Sequence, residues 1–185
     1  MAFQNFPSRA LHDVGLSAWF GGTLANAVSL NRAAGTTDRY SDAGKVVNTG
    51  WDLWAPVNAA AIGAHLVGAV GQLMGNKSRV ASQQGVAAMS VVKTALTGAA
   101  LGATAYSRVL GRKIAKQHDV PIASGTEPTE ATPPDVTKAL QQQKVMQWVV
   151  PAVTGALVVV TAYAGEQQRP TSVKAGILQR LNPFS

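Results

Sequence analysis

The chain has 185 residues, no cysteine and a formal net charge of +7. Its length predicts a single domain over residues 1–185, and the lack of cysteine excludes disulfides, Cys-ligated zinc and Cys-ligated iron–sulfur clusters. The basic residues flank apolar segments and form no stripe with interleaved aromatic residues, so we expect a lipid bilayer as partner and no nucleic acid.

The first apolar segment covers residues 11–30 and is rich in Gly, Ala, Ser and Thr. A helix of about 20 mainly apolar residues can cross a hydrocarbon core of roughly 30 Å, so this segment is the first predicted transmembrane helix. His12, Trp19 and Asn26 recur every seven residues within it. That spacing predicts that the three side chains share one helix face. A polar, turn-rich loop follows at residues 32–50.

The second predicted transmembrane helix covers residues 53–74, inside a run without formal charge at residues 53–76. Asn58, His65 and Gln72 repeat the seven-residue spacing. Polar residues on one face of a membrane helix usually point into the bundle. We therefore expect these three side chains to face other helices and not lipid.

The third predicted transmembrane helix covers residues 82–109 and contains Lys93. A charge at the bilayer centre costs about 2.5–3.5 kcal/mol on insertion scales. The second, third and fourth spans contain no Asp or Glu that would offset it. Lys93 is therefore expected to be neutral, to face water or an anionic ligand, or to pair with a carboxylate of another protein. The alternative is that Lys93 snorkels from a tilted or shifted helix.

Depth along the membrane normal follows from the helical rise of about 1.5 Å per residue. With span centres placed near Gly21, Gly63 and Leu96, we expect His65 and Lys93 to lie within roughly 5 Å of the midplane, with Trp19 at a similar depth. The sequence thus predicts an intramembrane polar site of His65, Lys93, Trp19, Asn58, Gln72 and Asn26. The alternative interpretation is a hydrogen-bond network that only fixes helix packing.

The third loop, residues 111–132, is rich in Pro, Thr and Glu towards its end and is expected to be flexible. Thr132 and Pro133 are suited to the start of a helix, as the cap and the first helical residue. That helix should continue into a fourth span at residues 146–164. The C-terminal tail, residues 166–185, is compatible with a short interfacial helix or with soluble packing of its apolar face.

These segments predict an all-α integral membrane bundle of four transmembrane helices with a flexible third loop. A soluble Ala/Gly-rich helical bundle is the alternative. The distribution of Lys and Arg favours loops one and three in the cytoplasm, for a multi-pass protein of the plasma (bacterial inner) membrane. Pairs such as Gly71 with Gly75 and Gly98 with Gly102 indicate close helix packing.

No catalytic, nucleotide or metal motif is present, which favours a non-enzymatic role without settling it, and no cofactor is predicted. His12 is placed about 13 Å from the membrane centre by the helical rise, whereas His65 is near the middle. The depth mismatch of about 10 Å argues against one iron bound by both histidines within a single chain.

The pattern of His12, six residues, Trp19, one residue, Gly21 and Gly22 resembles the opening helix of copper-resistance D-type membrane domains. The longer stretch at residues 11–34 resembles a family of actinobacterial four-span membrane proteins, which brings no activity with it. The first resemblance implies metal handling with His12 as the only residue carried over. The chain has only four Met and no Cys, so the soft sulfur ligands that suit Cu(I) are scarce.

The leading functional hypothesis is an accessory or structural subunit of an inner-membrane complex, with other membrane-protein subunits as partners. The alternative is a small transporter or a redox-linked membrane protein that handles an ion, a proton or a quinone around His65 and Lys93. Copper handling is a further alternative.

Overall fold

The computed structural model describes residues 6–77, 85–117 and 120–166. Its long helices are α1 (Phe6–Ala25), α3 (Tyr40–Gly75), α4 (Val86–Ala115) and α5 (Pro134–Glu166). Helix α1 continues through a π-helical turn (Asn26–Leu30), a short helix α2 (Asn31–Ala33) and a 3₁₀ turn (Ala34–Thr36). Between α4 and α5 lies an antiparallel hairpin of β1 (Ile122–Ser124) and β2 (Glu127–Pro128).

The long helices form a bundle in which α1 packs extensively against α3 and also against α5, while α5 packs extensively against α4. Helices α3 and α4 touch each other at only a few residues. The bundle therefore has one open side, which we call the α3–α4 groove. The predicted all-α class is confirmed, since the structure is mostly helical.

Among the described residues, α3, α4 and α5 are long and apolar enough to cross a membrane. Of the most apolar 18-residue stretch of each helix, only 17%, 6% and 22%, respectively, is buried inside the protein. Most of this apolar surface therefore faces outward, as expected for helices that contact lipid. Helix α1, which contains the first predicted span, does not meet the same criterion of length and composition.

The helices extend beyond the predicted spans. Helix α3 begins at Tyr40 and so includes much of the predicted polar loop at residues 32–50. Helix α5 runs without interruption from Pro134 through the predicted fourth span, as the sequence indicates. Of the predicted tail at residues 166–185, the structure describes only Glu166, so the interfacial helix lies outside the described residues.

The expectation of a flexible loop at residues 111–132 is corrected by the structure. Helix α4 continues to Ala115, and the hairpin that follows buries Ile122, which is only 2% exposed, against α3. The hydroxyls of Thr129 and Thr132 both donate to the Pro121 carbonyl, at 3.2 and 2.5 Å. The prediction that Thr132 caps α5 is therefore wrong, because its hydroxyl closes the hairpin. One buried isoleucine and these local bonds outweigh the disorder-prone composition.

At the end of the bundle that carries the hairpin, the buried residue Asn31 links α3, α5 and the hairpin by hydrogen bonds. Asn31 is 3% exposed, and its side chain donates to Gln147 Oε1 on α5 (2.9 Å) and accepts from Trp51 Nε1 on α3 (3.1 Å). Its backbone carbonyl accepts from the Gly125 amide of the hairpin (2.8 Å). A small apolar core that includes Val47, Ile122 and Leu140 surrounds the same region.

Candidate functional site: a buried histidine pair

Helices α1 and α3 approach each other closely at two glycines. A Cβ atom added to Gly15 would collide with the Ala61 carbonyl and the His65 backbone, and one added to Gly68 would collide with the Ser8 carbonyl and the His12 backbone. Each helix therefore presents a histidine to a glycine of the other helix. This reciprocal contact between antiparallel helices brings the two histidines together in the interior.

The rings of His12 and His65 stack in a tilted arrangement, with centroids 4.4 Å apart and an interplanar angle of 45°. Both residues are 0% exposed. His12 Nδ1 lies 2.7 Å from Asp13 Oδ1. In the neutral tautomer that donates from Nδ1 to this carboxyl oxygen, the His12 Nε2 atom is left as an acceptor.

Helix α4 completes the surroundings of the pair with two threonines. His65 Nε2 lies 3.3 Å from Thr97 Oγ1, within hydrogen-bond distance. Trp19 is 0% exposed, packs edge-on to His65 at a centroid distance of 6.0 Å, and donates from Nε1 to Thr104 Oγ1 (3.1 Å). The polar groups thus connect α1, α3 and α4 across the bundle interior.

The predicted depth mismatch between His12 and His65 is wrong. The first predicted span is centred near Gly21, whereas the glycine contacts set His12 opposite Gly68. Helix α1 therefore sits several residues out of the register assumed from its apolar segment. The reason is steric, because close approach is possible only where Gly15 and Gly68 face a neighbouring backbone.

Lys93 lies on α4, roughly one turn before Thr97, and is half-buried beside a cavity that it shares with His12. Within the described part of the chain, the structure gives its ammonium no hydrogen bond or ion pair. Arg9 and Asp13 of α1 are close enough to act on it electrostatically. Asp13 belongs to the first predicted span, so an acidic group does lie near Lys93 in the same chain.

Two cavities occupy the α3–α4 groove and receive the remaining polar residues of α3. One, which we call the Lys93 cavity, has a volume of about 470 Å³ and is lined by His12, Gln72, Lys93 and Thr97. The other, which we call the Trp54 cavity, has a volume of about 570 Å³ and is lined by Trp54, Asn58, Thr104 and Gln143. Asn58 and Gln72 therefore lie in different cavities on either side of the histidine pair.

Asn26, the remaining predicted site residue, begins the π-helical turn that follows α1. It lies about 14 residues from His12, or roughly 21 Å along a helix. The described contacts bring together His65, His12 and Trp19, with Lys93 on the border of the pair. Asn26 is not among them.

Sequence reasoning missed Gly15, Gly68 and Asp13 as parts of the site. A signal for the first two is present, since His12-x-x-Gly15 and His65-x-x-Gly68 repeat the same motif in two helices. Two such motifs can pair reciprocally in an antiparallel contact, with each histidine opposite the other glycine. The spacing of Lys93, Thr97 and Thr104 along the third span does place the two threonines on the face that the structure turns towards the pair.

Several buried polar atoms around the site lack a hydrogen-bond partner among the described residues. They include His12 Nε2 and His65 Nδ1, which belong to the stacked rings. No group of three or more His, Cys, Asp and Glu side chains suited to a metal ion occurs in residues 6–77, 85–117 and 120–166. The histidine pair is thus an arrangement of two imidazoles with unused hydrogen-bonding capacity.

Comparison with protein families, curated proteins and solved structures gives no significant match for this chain.

Proposed function

We propose that the chain is an integral membrane protein in which α1 crosses the bilayer together with α3, α4 and α5. Support comes from the outward apolar surface of the latter three helices and from large exposed side chains such as Val67 (64%), Val91 (69%) and Val159 (68%). Helix α1 packs between α3 and α5 through Gly15, Leu16 and Trp19. It therefore occupies the same layer as the helices that surround it.

The proposed location is the bacterial inner membrane, with the hairpin end of the bundle in the cytoplasm. This end joins the predicted loops one and three, which are rich in basic residues. Cytoplasmic loops carry an excess of Lys and Arg. The basic residues concerned are Arg32, Arg39, Lys45, Arg108, Arg112, Lys113 and Lys116.

Within this membrane protein, the function that the geometry supports best is proton handling, as part of a small transporter or a redox-linked membrane protein. The observation that carries the proposal is the stacked and fully buried pair of His12 and His65. Imidazole both accepts and donates protons near neutral pH. Intramembrane ionisable groups commonly mark proton or ion pathways.

The residues around the pair have distinct roles in this proposal. Asp13 holds His12 in the tautomer whose Nε2 accepts, and Thr97 orients His65 through its Nε2. The two unpartnered nitrogens, His12 Nε2 and His65 Nδ1, belong to adjacent rings. The stacked rings do not hydrogen-bond to each other, so transfer requires a ring rotation, after which His65 Nδ1–H donates to His12 Nε2 and the His12 Nδ1 proton moves to Asp13. The Lys93 cavity, which reaches His12, is the opening on one side.

Proton flux into liposomes tests this function. The purified chain is reconstituted into vesicles with an internal pH dye, and acidification is followed after a pH step under a potassium diffusion potential. We expect flux above that of empty vesicles, a loss of most of it in His65→Leu and His12→Leu, and retention in Asn26→Leu, which lies outside the pair and its cavity, as the matched control. Flux equal to that of empty vesicles, or unchanged in both histidine variants, contradicts the proposal.

A second candidate function is an accessory subunit of a membrane complex, and the open α3–α4 groove favours it. Lys93 borders the groove and has no ion pair within the described residues. A carboxylate on a partner helix inserted there would complete its surroundings. Purification in mild detergent followed by mass spectrometry should then recover a stoichiometric partner, which Lys93→Met weakens. A monomer without partner contradicts this candidate.

Copper handling is a weaker candidate, favoured only because His65 adds a second imidazole beside His12. Metal analysis of the purified protein, with and without added Cu(I), tests it. Binding that survives His12→Leu would contradict it.

A further inference from the structure

The Trp54 cavity contains polar atoms that the histidine pair does not use. Trp54 Nε1, Asn58 Oδ1 and Gln143 Oε1 are buried and have no hydrogen-bond partner among the described residues. Gln143 is only 7% exposed, and its other amide atom, Nε2, already donates to Ser107 Oγ on α4 (2.8 Å). Buried polar groups without a partner are unfavourable, so three around one cavity indicate a polar occupant.

The free atoms specify the chemistry of that occupant. The Trp54 indole N–H needs an acceptor, whereas the Asn58 and Gln143 carbonyl oxygens need donors. The remaining walls are mainly apolar or aromatic, with Trp51, Ile62, Leu101, Met146 and Val150, and they also include the charged residues Asp52, Arg108 and Arg112. A volume of about 570 Å³ lies in the range of small-molecule sites. A flat ring that carries hydroxyl groups in an otherwise apolar molecule matches this lining.

The position of the cavity indicates how such a molecule reaches it. The cavity lies in the α3–α4 groove, where the two helices have few direct contacts. Asn58 lies about five residues inside the charge-free part of α3, or roughly 8 Å along the helix. Asp52 and Arg108, which form an ion pair (3.2 Å), both line this cavity. In the proposed membrane location, the cavity is therefore at the level where a lipid-soluble molecule places its polar head.

We propose that the Trp54 cavity binds the dihydroxyaromatic head group of a lipid-soluble quinol. The two hydroxyls donate to Asn58 Oδ1 and Gln143 Oε1, and one hydroxyl oxygen accepts from Trp54 Nε1. The apolar tail leaves through the α3–α4 groove. Thr104 lines the cavity and also accepts from Trp19, so the bound ring adjoins the polar network of the histidine pair. The proposal rests on the membrane location but not on proton transfer by His12 and His65.

Titration with decylubiquinol under anaerobic, reducing conditions tests the proposal. The full chain in nanodiscs is titrated, and quenching of its tryptophan fluorescence reports binding. We expect saturable binding that is weakened about tenfold or more in Asn58→Leu, in Trp54→Phe and in Gln143→Met. Trp54→Phe keeps an aromatic ring and Asn58 makes no described side-chain hydrogen bond, so these two variants preserve the fold better than Gln143→Met. Size-exclusion profiles check this.

Two controls make the result specific. Gln72→Met removes an unpartnered amide from the Lys93 cavity and should leave quinol binding unchanged. The dimethyl ether of decylubiquinol has the same ring and tail without hydroxyl donors, and it should bind about tenfold or more weakly. The absence of saturable binding, equal binding of the ether, or displacement of the quinol by phosphatidylglycerol vesicles overturns the proposal. His65→Leu should bind quinol normally, so failure of proton flux and failure of quinol binding are distinguishable.

Discussion

The close contact of α1 with α3 at Gly68 gives a sharp test of the architecture. A Cβ atom at Gly68 would lie 2.7 Å from His12 Cα and even nearer to other backbone atoms of α1. Gly68→Ala therefore forces α1 away from α3, because backbone atoms, unlike a flexible side chain, cannot rotate away from the added Cβ atom. Gly63, on the same helix, has nothing within 4 Å of its added Cβ and is the matched control.

The magnitude follows from two opposing effects. Replacing glycine by alanine within a helix stabilises it by about 0.8–1.0 kcal/mol, and this term applies to both variants. Overpacking costs about 1–3 kcal/mol, and the upper end is expected where backbone atoms collide. Gly63→Ala should thus raise the free energy of unfolding by about 1 kcal/mol. The free energy of unfolding of Gly68→Ala should be about 3 kcal/mol lower than that of Gly63→Ala.

Unfolding of the detergent-solubilised chain by sodium dodecyl sulfate, followed by circular dichroism, measures these differences. A thermal melt should show a gap of roughly 6–12 °C between the variants, at about 2–4 °C per kcal/mol for a chain of this size. Because Gly15 and Gly68 belong to one contact, Gly15→Ala with Gly68→Ala should cost less than the sum of the single variants. Equal stability of Gly68→Ala and Gly63→Ala would refute the proposed register of α1 on α3.

Three further predictions concern other parts of the bundle. Asn31→Ala should lower the free energy of unfolding by about 2–4 kcal/mol, because it removes two side-chain hydrogen bonds and leaves Trp51 Nε1 and Gln147 Oε1 without a partner. The control Asn26→Ala, measured in the same detergent assay, should change the free energy of unfolding by less than about 0.5 kcal/mol. Asp52→Asn should cost less than about 1 kcal/mol, since its ion pair with Arg108 is largely exposed, and a larger loss in the same assay would contradict this. In intact membranes Val159→Cys should resist labelling by a water-soluble maleimide, although the Val159 side chain is 68% exposed on the protein. Glu130→Cys should react with the same reagent. Rapid labelling of both variants would contradict the membrane location.

Much of the helical architecture was predictable from the sequence. Long charge-poor stretches determine α3, α4 and α5, and they do so through composition, which needs no knowledge of contacts. The seven-residue spacing placed His65 on the interior side of α3, where the structure finds it. The hairpin was not predictable in the same way, because burial of Ile122 depends on the position of α3 and not on the Pro- and Thr-rich segment around it.

The candidate site was only partly predictable, and the reason is register. Apolar composition locates a span to within several residues, whereas a contact between two side chains requires a register correct to about one residue. His12 was excluded as a neighbour of His65 on depth alone, yet their rings lie 4.4 Å apart. The register depends on where backbones can approach, so Gly15 and Gly68 carry the information that apolar composition lacks.

The energetic cost of the histidine pair argues for a role beyond packing. Gly15 and Gly68 each lower the stability of their helix by about 0.8–1.0 kcal/mol relative to alanine. The two stacked imidazoles also keep His12 Nε2 and His65 Nδ1 buried without a partner in the part of the chain that the structure describes, which is a further cost. A helix pair that required only stability would be better served by alanines and leucines in the same places. The arrangement makes physical sense if the unpartnered nitrogens are used, and a proton exchanged between the rings uses both.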